Sequence, residues 1–79
     1  MPDLLRMDYI NSLPQPLLVR TWGDNNWWEL ESIEVETGLL RFLVCGLLQV
    51  SHIREVATFK DLNDTEYDPE TFYTDYQPE

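Results

Sequence analysis

The feature that most constrains the fold is the alternation of apolar and acidic residues in "WWELESIEVE", residues 27–36. Trp28 and Leu30 alternate with acidic residues, and Ile33 and Val35 do so again further along. A period of two is that of a β-strand with one buried and one exposed face. The alternation changes phase by one residue at Ser32, and such a slip predicts a β-bulge.

Strands are also predicted on both sides of this segment. Residues 16–22, "PLLVRTW", are rich in branched and aromatic side chains and end at the turn-forming sequence "GDNN". After a tight turn at "TG", the run "LLRFLVC" (residues 39–45) is apolar on both faces except for Arg41, which is typical of a central, covered strand. Gly46 interrupts this run, and residues 47–53 continue it. A helix over residues 39–53 is the competing interpretation, which Gly46 and the β-branched residues disfavour.

The last predicted strand is residues 54–60, "REVATFK", and "TEY" (residues 65–67) pairs back onto it as a hairpin. Short helices are expected at both ends of the chain. Residues 1–13 have helically spaced apolar side chains, with Asp3 as a possible cap. In "DPETFY", Asp68 can cap a helix whose first position is Pro69. Residues 77–79 are expected to fray.

The sequence therefore predicts an α+β fold, mainly β, in one small domain over residues 1–79. It comprises a helical or extended N-terminal segment (1–15), an antiparallel meander (16–67), and a short capped helix with a frayed acidic end (68–79). About four or five strands form a small curled antiparallel sheet or an open barrel, since curling limits exposed edges.

The net charge of −10 sets the class of partner. Fifteen carboxylates face five basic side chains, so direct binding of nucleic acid or of anionic membranes is disfavoured, because both depend on Lys and Arg. A basic protein surface is favoured instead. The alternative is that the charge serves solubility alone.

The cysteine content and the apolar runs predict a cytoplasmic protein. Cys45 is the sole cysteine, whereas small secreted domains usually carry several disulfides. No signal peptide is visible at the N-terminus, and the run "FLVCGLL" is far shorter than a membrane span. Because its neighbours are apolar, Cys45 itself is expected to lie in the core.

Neither a metal site nor catalysis is expected. "DLNDTEYDPETF" resembles a calcium-binding EF-hand loop only superficially, since Glu66 replaces the required glycine and Phe72 replaces the bidentate Glu. His52 and Cys45 have no ligand spacing that suits zinc, and burial of Cys45 would suppress a thiolate nucleophile. We therefore predict no catalytic residue and no cofactor.

Two features remain as candidate binding surfaces: the carboxylate row on the alternating strand, and the acidic and aromatic C-terminal segment. The predicted acidic contact residues are Glu29, Glu31, Glu34, Glu36, Asp64, Glu66, Asp68, Glu70 and Asp75. The predicted aromatic contact residues are Trp27, Tyr67, Tyr73 and Tyr76. The alternatives are that the strand row is a plain solvent face and that some of the aromatic residues pack onto the core.

These features favour a non-enzymatic acidic interaction module. Its sharpest form is a nucleic-acid mimic, an inhibitor whose carboxylates take the place of phosphates in the basic groove of a nucleic-acid-handling protein. In size, charge and lack of catalytic residues the chain resembles the small acidic inhibitors that phages carry against host restriction or CRISPR systems, which would place it in the host cytoplasm. The alternative is a small structural or assembly protein that forms a homodimer through its apolar strand.

Overall fold

A computed structural model describes residues 3–76 and shows a mainly β fold with a few short helical segments. The prediction of a mainly β α+β domain is confirmed, although the sheet has six strands. The elements are α1 (Met7–Ser12), β1 (Leu18–Thr21), β2 (Trp28–Glu34), β3 (Leu39–Val44), β4 (Leu47–His52), a first 3₁₀ helix (Ile53–Glu55), β5 (Val56–Lys60), β6 (Glu66–Tyr67) and a second 3₁₀ helix (Pro69–Phe72).

The six strands form one antiparallel sheet in the order β4-β3-β2-β1-β5-β6. Strands β1 to β4 follow each other as a meander, but β5 pairs with β1 and not with β4. Only the first 3₁₀ helix joins the end of β4 to the start of β5, so the chain crosses this gap in four residue steps. In a flat sheet β4 and β5 would lie four strand spacings apart, about 19 Å. Four residues reach at most about 14 Å. The sheet must therefore curl, and its two edges, β4 and β6, remain unpaired with each other.

The inner face of the curled sheet holds the core. Val19, Leu40 and Phe59 point inward from three strands and are fully buried. The N-terminal segment contributes Leu5 and the second 3₁₀ helix contributes Phe72, both also fully buried. The two ends of the chain therefore close the core, and residues 61–76 are part of the fold.

The predicted bulge in β2 is confirmed. The register between β2 and β3 shifts between Leu30 and Ser32. Leu30 lies opposite Phe42 and Ile33 opposite Leu40, so both apolar side chains of β2 reach the inner face despite the three-residue spacing. The extra residue keeps the acidic side chains on the outer face.

The predicted central strand is confirmed over Leu39–Val44, which lies between β2 and β4, but the prediction that it is covered on both faces and runs through Cys45 is wrong. Cys45 and Gly46 form a two-residue turn between β3 and β4, with φ of 53° and 83°. Two consecutive positive φ values are those of a tight hairpin turn. Cys45 is exposed at this turn and does not lie in the core. The apolar run therefore folds back on itself, and its second half becomes an edge strand.

The N-terminal prediction is correct only in part. The helix is confined to Met7–Ser12, and Arg6 precedes it without a side-chain cap, so Asp3 does not cap it. Leu5 is extended instead and donates its N–H to the Val35 carbonyl, 2.9 Å away. At the other end, Asp68 caps the second 3₁₀ helix by accepting from the Glu70 N–H at 3.0 Å, as predicted. The predicted fraying of residues 77–79 lies outside the described residues.

Candidate interaction surface

The strand row of carboxylates is shorter than the sequence predicts. Glu29 and Glu31 are exposed on the outer face of β2, and Glu34 lies half-buried at its end. The Glu34 carboxylate forms an ion pair of 3.6 Å with Arg41 on the neighbouring strand. Glu36 lies beyond the strand, in the turn that leads to β3. The row on the strand therefore has three members, one of them paired.

The same outer face also carries three of the five basic side chains. Arg41 is bound to Glu34, Arg20 donates to the Asp24 carbonyl at 3.2 Å, and Lys60 forms a 3.1 Å ion pair with Asp64. Trp27 lies among them, with the Lys60 Nζ 4.6 Å and the Arg20 Cζ 5.8 Å from its ring centroid. Cations over an indole face are attracted by its quadrupole. Trp27 thus holds two cations on the outer face, beside the exposed carboxylates of β2.

The C-terminal segment, residues 61–76, carries six carboxylates and no basic residue. Its first residue, Asp61, is buried and organises the turn after β5. Asp61 Oδ1 accepts from the N–H groups of Asn63 and Thr65, at 2.8 and 3.1 Å, and Oδ2 accepts from the Tyr67 hydroxyl at 2.7 Å. These hydrogen bonds, the Tyr67 bond foremost, hold the pKa of Asp61 below 3.8, and the bond to Asp61 raises the pKa of Tyr67 above 10.0. Asp61 would be the first ligand of a calcium loop, but both of its carboxylate oxygens accept hydrogen bonds from the protein's own N–H and O–H groups.

The remaining carboxylates of this segment are displayed on ordered backbone. Glu66 lies on β6 next to Lys60 of β5, and Asp68 and Glu70 lie at the start of the second 3₁₀ helix. Phe72 anchors that helix, with its ring stacked 4.7 Å from Phe59. Asp64, Glu66, Asp68, Glu70 and Asp75 are all exposed, and only Asp64 is in an ion pair. The segment therefore displays carboxylates on an ordered backbone, and Arg6 reaches it by donating to the Thr71 carbonyl at 3.1 Å.

The predicted tyrosine contacts serve the core as much as the surface. Tyr67 and Tyr73 are half-buried and pack against the core cluster, and the Tyr73 backbone forms a bridge with Leu5. Tyr76 is also half-buried. The alternative that these side chains pack inward holds for Tyr67 and Tyr73.

Trp22 is an exposed aromatic residue that is not among the predicted contact residues. It lines a shallow pocket of about 280 Å³ together with Arg54, Asp68, Glu70 and Tyr73. The signal that could have found it is its place directly before the glycine of a turn, where a large side chain has little to pack against. This pocket joins an aromatic surface to the acidic C-terminal segment.

A second group of exposed residues is apolar and lies on the hairpin of β3 and β4. It comprises Leu43, Leu47, Leu48 and Val50. The signal in the sequence is the glycine in the middle of the apolar run, because a hairpin turn at that point leaves one half of the run at the edge of the sheet.

Within residues 3–76, no three His, Cys, Asp or Glu side chains are grouped so that they could hold a metal ion. In the same part of the chain, no helix has the length and apolar character needed to cross a membrane. Comparisons of the chain with models of protein families, with curated proteins and with solved structures find no match.

Proposed function

We propose that the protein is a non-enzymatic inhibitor that presents an acidic surface to the basic groove of a nucleic-acid-handling protein, in the place of nucleic-acid phosphates. Inhibitors of this kind are carried by phages against host defence, and the proposal places the protein in the host cytoplasm. It acts by binding alone and needs no cofactor.

The observation that carries the proposal is the rigid display of the C-terminal carboxylates. The Asp61 turn, β6 and the capped 3₁₀ helix hold residues 61–76 against the core. The backbone that carries five exposed carboxylates is thereby ordered before any partner arrives. A surface that is already ordered loses less conformational entropy on binding than a flexible acidic tail.

The distribution of exposed carboxylates favours the C-terminal segment over β2 as the main contact surface. On β2, Glu34 is bound to Arg41, which leaves Glu29 and Glu31, whereas the C-terminal segment has four exposed carboxylates besides Asp64, which is paired with Lys60. No basic residue lies within residues 61–76; the cations beside it are Lys60, which is paired with Asp64, Arg6, which donates to the Thr71 carbonyl at 3.1 Å, and Arg54, which lines the adjoining pocket. We therefore assign the main contact to the C-terminal segment and a supporting role to Glu29, Glu31 and Glu36.

Two charge-reversal variants of equal net charge test this assignment. The first changes Glu66, Glu70 and Asp75 to Lys, which spares Asp61 and Asp68 because they hold the fold. The matched control changes Glu29, Glu31 and Glu36 to Lys, which spares the ion pair of Glu34. Because both variants change the net charge equally, a difference between them reports the position of the charges.

The readout is capture of a protein from host-cell lysate on the immobilised chain, followed by competition with double-stranded DNA or RNA. We expect nucleic acid and rising salt to release the captured protein, since charge attraction is screened within about 10 Å at 0.1 M salt. We expect the C-terminal variant to lose capture and the β2 variant to retain part of it. If nucleic acid and the chain bind the captured protein together, or if both variants bind as well as the wild type, nucleic-acid mimicry is wrong.

A further inference from the structure

Strand β4 is an open and unprotected edge of the sheet. It pairs with β3 on one side in six consecutive residue pairs without a bulge, and within residues 3–76 no strand lies on its other side. Proteins usually protect such edges with lysine, proline, a bulge or a very short strand. The opposite edge, β6, is protected in this way, since it is two residues long and begins with Glu66. Strand β4, "LLQVSH", has none of these features.

The side chains on this edge are apolar and accessible. Leu48 and Val50 are 54% and 53% exposed on the outer face, beside Leu43 at 44%. Leu47, at the start of the strand, is 67% exposed. These four side chains make up most of the large apolar residues that are exposed in residues 3–76.

The backbone direction shows which groups are available for pairing. The His52 N–H donates to the Glu55 carboxylate at 3.1 Å, so it points away from its cross-strand partner Leu39. In an antiparallel strand, residues two apart direct their N–H and C=O groups to the same side. Val50 and Leu48 therefore direct theirs to the open edge.

The charge distribution around β4 allows a second copy of this acidic chain to approach that edge. Residues 37–54 contain no carboxylate, and they are the longest such stretch in the chain. They carry Arg41 and Arg54, while all fifteen carboxylates lie elsewhere. The carboxylates next to this edge are engaged, since Glu34 is bound to Arg41 and Glu55 to the His52 N–H. A second copy of this acidic chain would be repelled from its other surfaces but not from this one.

We propose that β4 pairs antiparallel with β4 of a second copy, about a twofold axis at Gln49. In this register Leu48 of each copy lies opposite Val50 of the other. The outward N–H and C=O groups of both residues then form four intermolecular hydrogen bonds, and the two sheets become one of twelve strands. A twofold interface uses the same surface on both copies, which an apolar edge without carboxylates allows.

Sedimentation equilibrium of the full chain tests the proposal, with two variants at the edge and one control. Leu48→Lys places a charge on the edge, and Val50→Glu does so with the opposite sign while facing Arg41 of the same copy. Leu62→Lys is the control, because Leu62 is 66% exposed in the turn between β5 and β6. Circular dichroism verifies that each variant is folded.

We expect the wild type and Leu62→Lys to sediment at twice 9.4 kDa, and both edge variants at 9.4 kDa. A wild type that stays at 9.4 kDa up to about 1 mM would show that the dimer does not form. A dimer that survives both edge variants would place the interface elsewhere. A monomeric wild type whose edge variants lose a captured protein would assign the edge to that protein, and the dimer would again be wrong.

A distance measurement tests the register. Cys45, the sole cysteine, is exposed and lies four residues from the proposed axis. The backbones at the two Cys45 positions should thus lie eight residue rises apart, about 27 Å, and nitroxide labels on the two cysteines report this separation. If the twofold axis lay one residue further along β4, this distance would change by two residue rises, about 7 Å. A distance that fits no antiparallel pairing of β4 would overturn the proposal.

The effect of salt on affinity distinguishes this dimer from binding by the proposed inhibitory surface. Association of two acidic copies through an apolar edge should tighten as salt screens their repulsion, whereas binding to a basic groove should weaken. The dimer does not depend on the inhibitory function, so the edge variants and the carboxylate variants can fail separately.

Discussion

At the scale of single residues, two buried or half-buried aspartates organise the loops through hydrogen bonds to their own surroundings. Asp24 accepts from the Trp28 indole N–H at 2.7 Å and from the Asn26 N–H at 3.0 Å, and these bonds lower its pKa below 3.8. Asp61 does the same for the turn that starts the C-terminal segment. Both carboxylates are therefore structural, in a chain where most carboxylates are displayed to solvent.

The lowered pKa of Asp61 predicts a pH dependence of stability. A carboxyl with a lower pKa in the folded than in the unfolded state stabilises the fold in its ionised form. That contribution is complete above the ordinary pKa near 3.8 and is lost as the pH falls through the lower folded-state value. We expect the free energy of unfolding, measured in urea, to fall below about pH 5 in the wild type.

Asp61→Asn should be less stable than the wild type at pH 7 and should lose less stability on acidification. Asp24 keeps its own share of the pH dependence in this variant. Tyr67→Phe serves as the comparison, since it removes one of the three hydrogen bonds of Asp61 and should destabilise less. Equal stability of Asp61→Asn and the wild type at pH 7 would contradict the structural role of this carboxylate.

At the scale of elements, the turns decide which strands become neighbours. The turn at Gly38 joins β2 to β3 and also holds the start of the first 3₁₀ helix, because the Ile53 N–H donates to the Gly38 carbonyl at 2.8 Å. His52 adds a reciprocal cap, in which Nδ1 accepts from the Arg54 N–H while Glu55 accepts from the His52 N–H. This junction is where the chain passes from β4 to β5 and where the sheet curls.

Gly38→Ala is predicted to weaken this junction. Gly38 has φ of +79°, and an added Cβ would lie 2.9 Å from Leu4 Cδ2 and 3.1 Å from His52 Nε2. The matched control is Gly23→Ala, with φ of +85° and nothing within 4 Å of the added Cβ.

Both substitutions place alanine in the left-handed region, at a cost of about 1–2 kcal/mol. The close approach at Gly38 adds to that cost, so Gly38→Ala should unfold at the lower urea concentration. Equal losses in the two variants would show that the packing of Leu4 and His52 adjusts without cost.

At the scale of the whole molecule, the fold separates charge from apolar surface. Most of the carboxylates lie on the C-terminal segment, on β2 and near the N-terminus, whereas the hairpin of β3 and β4 has none. In residues 3–76 there are two ion pairs between side chains. Repulsion among the remaining carboxylates therefore acts against the compact state.

We expect the melting temperature to rise when salt is added at pH 7, because salt screens this repulsion. For a domain of this size each kcal/mol of relief corresponds to about 4–8 °C. The variant with Glu66, Glu70 and Asp75 changed to Lys should show a smaller rise, since its net charge is closer to zero. A melting temperature that falls with salt would mean that the two ion pairs outweigh the repulsion.

The sequence alone determined the local structure and the class of surface. The period of two in β2, the phase slip at Ser32 and the Asp68-Pro69 cap all depend on residues a few positions apart, and all three predictions are confirmed. The net charge likewise follows from composition.

What only the tertiary structure decided was which elements meet. The pairing of β5 with β1, the exposure of the β4 edge and the cluster of Arg20 and Lys60 at Trp27 depend on contacts between residues far apart in the chain. An apolar run such as residues 42–48 is compatible with a covered strand or with a hairpin. In the structure the run is a hairpin, with positive φ at Cys45 and Gly46, and the buried core cluster of residues 3–76 takes Leu40 and Phe42 from β3 and no residue from β4.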